Sequence, residues 1–412
     1  MISNGERKFF YGYVVVLAAF LILVMTWGTL YCFGVFFKPV LIEFGWTRAA
    51  TSGAYSLCLL LLAFFGIVMG RLNDRFGPRI VVTGCGLFLG SGYLLMSQIS
   101  TIWQLYLFYG VMLAIGASGS FIPLASTISR WFIKRRGLLT GIAVSGIGVG
   151  TMIMPPIANW LITDYGWRVS YIVIGIAVLV LITSAAQFLR YSPSQMGQLP
   201  YGENQAEPES VNSKTKGFSL KETIHTRQFW MISAMFFCFG VAIQSILVHI
   251  VPHATDIGIS SARAVNILAI IGALSATGRI MMGGVADRIG NKLALVVVFV
   301  LMSAALLWLL VAKEPWMFYL FAIAFGFAYG GWATLLSLIP AELFGLGSLG
   351  VILGAVHFSV ATGEALGPTL AGGIFDITGS YQPAFTICAA LSMIAIVLAL
   401  FLRPITEVRA KQ

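Results

Sequence analysis

The sequence predicts an all-α membrane protein of twelve transmembrane helices in two six-helix halves, and three observations carry that prediction. First, 58% of its 412 residues are hydrophobic and only 10% are charged, with a mean hydropathy of +0.92. Soluble domains carry about 25% charged residues, and a soluble chain of this size could not bury so much apolar surface. Second, the chain divides into apolar runs near the roughly 20 residues that cross a bilayer as a helix. Third, features recur between the first and last six runs at a nearly constant offset.

The runs follow in order. The first, 10–37, sits behind Arg7 and Lys8 as a secretory signal would, but no small-residue cleavage site follows it, so it reads as a helix that stays. Next come 49–70 and 80–99, joined by GRLNDRFGPR, then 103–128, RWFIKRR, and 137–160, which carries five glycines and Pro156. The sixth run is 168–190. The segment 191–227 is polar and rich in Pro, Ser and Glu without an apolar period, which makes it a linker between halves 1–190 and 228–412. The second half supplies 228–252, 262–283, 293–312, 316–340, 347–373 and 381–402. Gly, Ser and Thr within these runs suit close helix packing in lipid.

A formal charge of +10 would suggest nucleic acid in a soluble chain, but here the basic residues lie between apolar runs. No nucleic-acid partner is expected. Nineteen of the 25 Lys and Arg fall on one side of the alternating topology, five (Lys38, Arg48, Arg168, Arg263, Lys313) on the other, and Arg279 lies inside a run. The positive-inside rule then places both termini and the linker in the cytoplasm. The five cysteines stand singly in apolar runs, which argues against a disulfide frame and a zinc site. With no Gly-rich phosphate cradle and no nucleophile–base pairing, neither cofactor, metal nor catalysed reaction is expected.

GRLNDRFGPR (70–79) matches GGVADRIGNK (283–292) at an offset of 213, and the pair Pro156–Asp164 matches Pro368–Asp376 at 212. A parallel repeat of six helices is the arrangement of major facilitator transporters, which bind substrate near the midplane between halves. The repeated G-x-x-x-D-R-x-G-x-R/K resembles the loop signature of that superfamily. Asp74 or Asp287 can face a helix N-terminus, and Arg75 or Arg288 can pair across the seam as a cytoplasmic latch. Any short cytoplasmic loop is basic, but two aligned copies favour the latch.

RWFIKRRGLLTGIAVSGIGVG (130–150) resembles the helix 4–5 signature of the monocarboxylate transporter and oxalate/formate antiporter families. YGYVVVLAAFLI (11–22), CFGVFF (32–37), EFGWTRA (43–49) and TGEALGPTLAGGIFDITGSYQPAF (362–385) are similar to segments of their bacterial members, a resemblance that implies a bacterial inner membrane. A topology anchor would explain the charge at 130–136 but not the run Gly141, Gly146, Gly148 and Gly150.

Arg279, in GALSATGRIMMGG (272–284), is the charge that needs explaining. A charged residue at the centre of a span costs about 2.5–3.5 kcal/mol on insertion scales, so it marks either a snorkelling end residue or a working site. The resemblance implies an arginine in helix 8 that binds the substrate carboxylate, and a guanidinium fork suits a carboxylate. The oxalate-type lysine of helix 11 is missing, so one fixed cation favours a monoanion. Animal monocarboxylate carriers place an aspartate where this chain has Ser275 and a helix-1 lysine where it has Tyr31, so their proton relay does not transfer.

His249 is the first candidate to carry a proton, since imidazole titrates near neutrality, although it also reads as a satisfied histidine. His357 and Glu364 share a face of helix 11, and Glu364 could instead tie that helix to a neighbour. Tyr31, Phe121, Tyr329, Trp332 and Phe358 are candidates for the apolar wall. Ser118, Ser120 and Ser275 could bind a substrate hydroxyl or simply join helices.

The reading is a monomeric carrier that moves a small, lactate-like monocarboxylate across the lipid bilayer with a proton, by alternating access. Proton-independent carboxylate exchange is the nearest alternative, favoured by the missing aspartate. A non-cycling transporter-like sensor is another; two latch motifs and a linker without a signalling module stand against it.

Overall fold

The structure, a computed structural model, describes residues 10–202, 218–345 and 349–402. The long helices are α1 (Gly12–Phe44), α2 (Arg48–Phe76), α3 (Pro78–Met96) and α4 (Ile102–Trp131). Next, Arg136–Ala186 holds α5 and α6 on either side of Gly166. The second half has α7 (Arg227–Asp256), α8 (Ser261–Ile289), α9 (Asn291–Val311), α10 (Pro315–Phe344), α11 (Leu349–Thr378) and α12 (Gln382–Phe401).

Among the described residues, eleven helical segments are long and apolar enough to cross a membrane. Arg136–Ala186 has 51 residues, about 75 Å at 1.5 Å per residue, against a hydrocarbon core of roughly 30 Å. It therefore crosses twice, breaking at Gly166, whose φ of 79° and ψ of 160° only glycine adopts readily. That gives the expected twelve crossings.

Several helices outrun the expected segments. α1 passes Pro39 to Phe44 and steps at Cys32, where two helical pieces meet. α2 and α8 continue to Phe76 and Ile289, so most of each repeated motif is the last turns of a helix rather than a loop. Polar side chains at helix ends can reach past the apolar slab, which is why hydropathy places these ends too early. α4 has a π-helical stretch over Tyr106–Met112 and a break before Ile122.

The expected linker is structured at both described ends. Tyr201 N–H donates to Trp131 O (2.9 Å), and Tyr201 O accepts from Ile133 N–H and Lys134 N–H, so the chain after α6 is stapled to the α4–α5 turn. Ser219 and Glu222 form a capping box on the short helix Leu220–Ile224. Residues 203–217 lie outside the described residues, as do residues 1–9 and 403–412, on which the expected placement of the termini rests.

The internal repeat has a backbone signature. Gly45 and Gly258 (φ 65° and 92°), Gly77 and Gly290 (80° and 85°), and Gly166 and Gly379 (79° and 69°) each end a helix, and each pair is 213 residues apart. The halves meet along two main seams, α5 against α8 and α2 against α11. Since α2 repeats as α8 and α5 as α11, the repeat relates one seam to the other.

Candidate functional site: an arginine at the seam between the halves

The site begins with close helix approach. A Cβ on Gly148 of α5 would lie 2.8 Å from Gly272 O and 2.9 Å from Ala276 Cβ of α8, and one on Gly272 would lie 2.5 Å from Met152 N. Gly146 and Gly150 similarly abut Phe20 and Gly28 of α1. The glycine run thus brings α1, α5 and α8 together, whereas nothing lies within 4 Å of a Cβ on Gly141.

Arg279 projects from α8 at this seam. The helix runs ten residues beyond it to Ile289, about 15 Å, and the side chain turns toward the other half rather than out along the helix. Its Nη1–H donates to Val144 O of α5 at 3.0 Å, and Cζ stands 5.6 Å from the centroid of the Tyr329 ring. Nε is buried and bonds no protein atom, which leaves a donor of the guanidinium fork free for a ligand. Thr334 Oγ1–H donates to Arg279 O (3.0 Å) and ties α10 to this turn.

Two polar bridges cross between the halves nearby. Tyr31 of α1 and Tyr329 of α10 join hydroxyl to hydroxyl at 2.9 Å, and Tyr55 O–H of α2 donates to Gln244 Oε1 of α7 at 3.2 Å. The Glu364 carboxyl of α11 lies within electrostatic range of Tyr31, Tyr55 and Tyr329. Its Cγ would be 3.3 Å from a Cβ on Gly240, so that glycine lets α7 close onto α11 beside the acid. Arg279, Tyr31, Tyr329, Tyr55, Gln244 and Glu364 therefore form one polar cluster where the halves face each other.

A model of the Major Facilitator Superfamily matches residues 17–363 and again 275–412. The chain belongs to the major facilitator superfamily. It is a multi-pass membrane transport protein, similar to monocarboxylate transporter 12 of Mus musculus (26% identical, covering 98% of this chain and 87% of that one). Monocarboxylate transporter 13 of Bos taurus is 28% identical over 92% of this chain and 86% of its own. The fold matches that of a bacterial homologue of the human lysosomal transporter Spinster, inward-facing and unoccupied, with a TM-score of 0.71 at 17% identity over 97% of this chain and 95% of that one.

Not every residue singled out in this facilitator's sequence reaches the cluster. Ser275 Oγ–H donates to Gly272 O (2.9 Å), Ser118 Oγ–H to Ile115 O and Ser120 Oγ–H to Ala117 O, so each hydroxyl bonds its own chain. Trp332 stacks on Phe239 (4.9 Å between centroids) with its Nε1 buried and unpaired. Phe121, at the break in α4, is 39% exposed, and Phe358 of α11 is 64% exposed. His357 is exposed, two turns before Glu364, and makes no hydrogen bond among the described residues.

His249 is fully buried, with both nitrogens engaged away from Arg279: Nε2–H donates to Pro368 O (2.8 Å) and Nδ1 accepts from Tyr381 O–H (3.0 Å). The expected latch also differs. Asp74 pairs with Arg130 at 2.8 Å, but both belong to the first half. Arg75 lies over its neighbour Phe76, and among the described residues no ion pair joins Arg75, Asp287 or Arg288 to the opposite half. Contact across the halves is concentrated at the other end of the molecule, so the basic-loop end is the open one. Sequence reasoning missed Tyr55 and Gln244, for which an amide inside the apolar run 228–252 was the available signal.

Proposed function

We propose that this transport protein carries a small, lactate-like monocarboxylate together with a proton by alternating access, binding it between the halves 1–190 and 228–412, which the linker 191–227 joins. One observation carries the reading: Arg279 stands at the seam, well inside α8, with a buried guanidinium donor that no protein atom takes. A carboxylate accepts from such a fork in two places, and the Tyr329 ring, 5.6 Å from the guanidinium carbon, supplies an apolar wall. The names of the similar monocarboxylate transporters agree with this assignment. The basic-loop end is the cytoplasmic side of a bacterial inner membrane, and the carrier works as a monomer.

Of the three candidates for the proton, Glu364 fits best. It is partly accessible, stands in the same cluster as Arg279's neighbours, and makes no ion pair among the described residues. Exchange of one carboxylate for another without a proton is favoured by Ser275, whose hydroxyl bonds its own helix where a relay acid would stand.

The test is uptake of labelled L-lactate into proteoliposomes with and without an inward proton gradient. The gradient should stimulate uptake by the parent protein. Removing one partner of a buried charged contact costs about 2–5 kcal/mol, so Arg279→Ala should weaken apparent affinity by at least about 30-fold. Parent uptake that ignores the gradient but requires a carboxylate trapped inside would establish exchange; unchanged uptake by Arg279→Ala would remove the anchor.

A further inference from the structure

Four ion pairs occur among the described residues, and the two that join the halves lie together at the end opposite the basic loops. Asp256, at the end of α7, accepts from Lys38 Nζ of α1 at 2.6 Å and from Arg48 Nη2 of α2 at 2.9 Å. Arg48 Nη1–H also donates to Tyr381 Oη at 2.5 Å, and its Cζ stands 3.6 Å over the centroid of Phe375. Asp376 of α11 accepts Arg48 N–H (2.9 Å) and Ala49 N–H (2.8 Å), capping the first turn of α2 with a negative charge from the other half.

His249 supports this arrangement from behind. The Pro368 carbonyl can only accept, so Nε2 carries the imidazole proton and Nδ1 receives the Tyr381 hydroxyl, which leaves Tyr381 Oη free to accept from Arg48. His253 packs edge-on against Tyr381 and Phe385, and Thr369 Oγ1–H donates to Ser56 Oγ (2.8 Å) two turns deeper on the same seam. Glu43 and Arg168 pair within the first half and do not join it to the second.

The repeat gives an internal comparison. Asp164 holds in the first half the place of Asp376 in the second, and Ser261 begins α8 as Arg48 begins α2. Yet Asp164 is exposed and makes no hydrogen bond or ion pair among the described residues, and Ser261 bonds Asn159 instead. The charged cap is therefore a feature of one seam and not a consequence of the shared fold.

We infer that Lys38, Arg48, Asp256, Asp376 and Tyr381 form the gate that holds the halves together at the end opposite the basic loops, with His249 positioning Tyr381 within it. The gate rests on the alternating-access part of the proposed function. Opening that end must break all these contacts at once, since Arg48 alone binds Asp256, Asp376, Phe375 and Tyr381.

The test measures the gate without substrate. Spin labels at Ile42→Cys in α1 and Ile377→Cys in α11, both strongly exposed, report the separation of the halves at this end. The five buried native cysteines are replaced by alanine, and the full chain is held in lipid nanodiscs. The parent should show a dominant short-distance population, and Asp256→Asn/Asp376→Asn should move at least half of it to longer distances. Asp376→Asn alone, a milder change, should move part of it, while Asp164→Asn should move none. An unchanged distribution in both Asp376 variants, or an equal shift in Asp164→Asn, would overturn the gate. The distances require no transport, so a protein that fails to take up lactate yet shifts as expected loses its substrate and keeps its gate.

Discussion

Arg279 and Glu364 are the two charged residues that stand well away from both ends of their helices, and the chemistry of the proposed carrier follows from their difference. A guanidinium stays charged at any working pH and serves as a permanent anchor, whereas a carboxyl can release and take a proton. Glu364→Gln keeps the shape and fixes the group in a neutral, proton-bearing form. It should therefore abolish stimulation of lactate uptake by the proton gradient while leaving lactate counterflow close to the parent's. Counterflow measured beside net uptake checks this, and a variant still driven by the gradient would exclude Glu364 from coupling. Arg279 was legible in the sequence because a charge in an apolar run is conspicuous on its own. Tyr55 and Gln244 were not, because their meaning lies in a contact between residues 189 positions apart.

At the scale of elements, the composition of each run decides whether a helix forms, and its small residues decide how near it comes to its neighbour. The glycines after RWFIKRR separate into two kinds that the sequence alone could not distinguish. Gly148 faces the backbone of α8, so Gly148→Ala forces α5 and α8 apart, and overpacking of this kind costs typically about 1–3 kcal/mol. Gly141 faces open space within the same helix, where alanine should be neutral or stabilising by roughly 0.5–1 kcal/mol. Thermal unfolding in detergent should show a clear loss of Tm for Gly148→Ala and none for Gly141→Ala. Hydropathy located the twelve crossings, but it could not show that α5 gives way to α6 at the single residue Gly166, with no loop between them, or that α4 is interrupted. Both depend on local backbone geometry and on neighbours distant in sequence.

For the whole molecule, the seams between halves carry opposite roles at their two ends. The basic-loop end has its ion pair, Asp74 with Arg130, inside one half, while the opposite end has cross-half pairs around Arg48. A carrier that exposes its site alternately must reverse this asymmetry in each cycle, so fixing the closed end should stop it. The geometry offers a direct way: a Cβ on Gly373 of α11 would lie 3.8 Å from Ala49 Cβ of α2, which is close to the mean separation in a disulfide. Ala49→Cys/Gly373→Cys, with the native cysteines replaced, should cross-link readily on oxidation, lose lactate uptake, and recover it on reduction, while each single variant stays active in both conditions. Binding of lactate from the open, basic-loop end should survive the cross-link, because the Arg279 cluster lies on that side of the gate. Loss of uptake with retained binding would tie transport to separation of the halves at the gate; full uptake by the cross-linked protein would show that they do not part there.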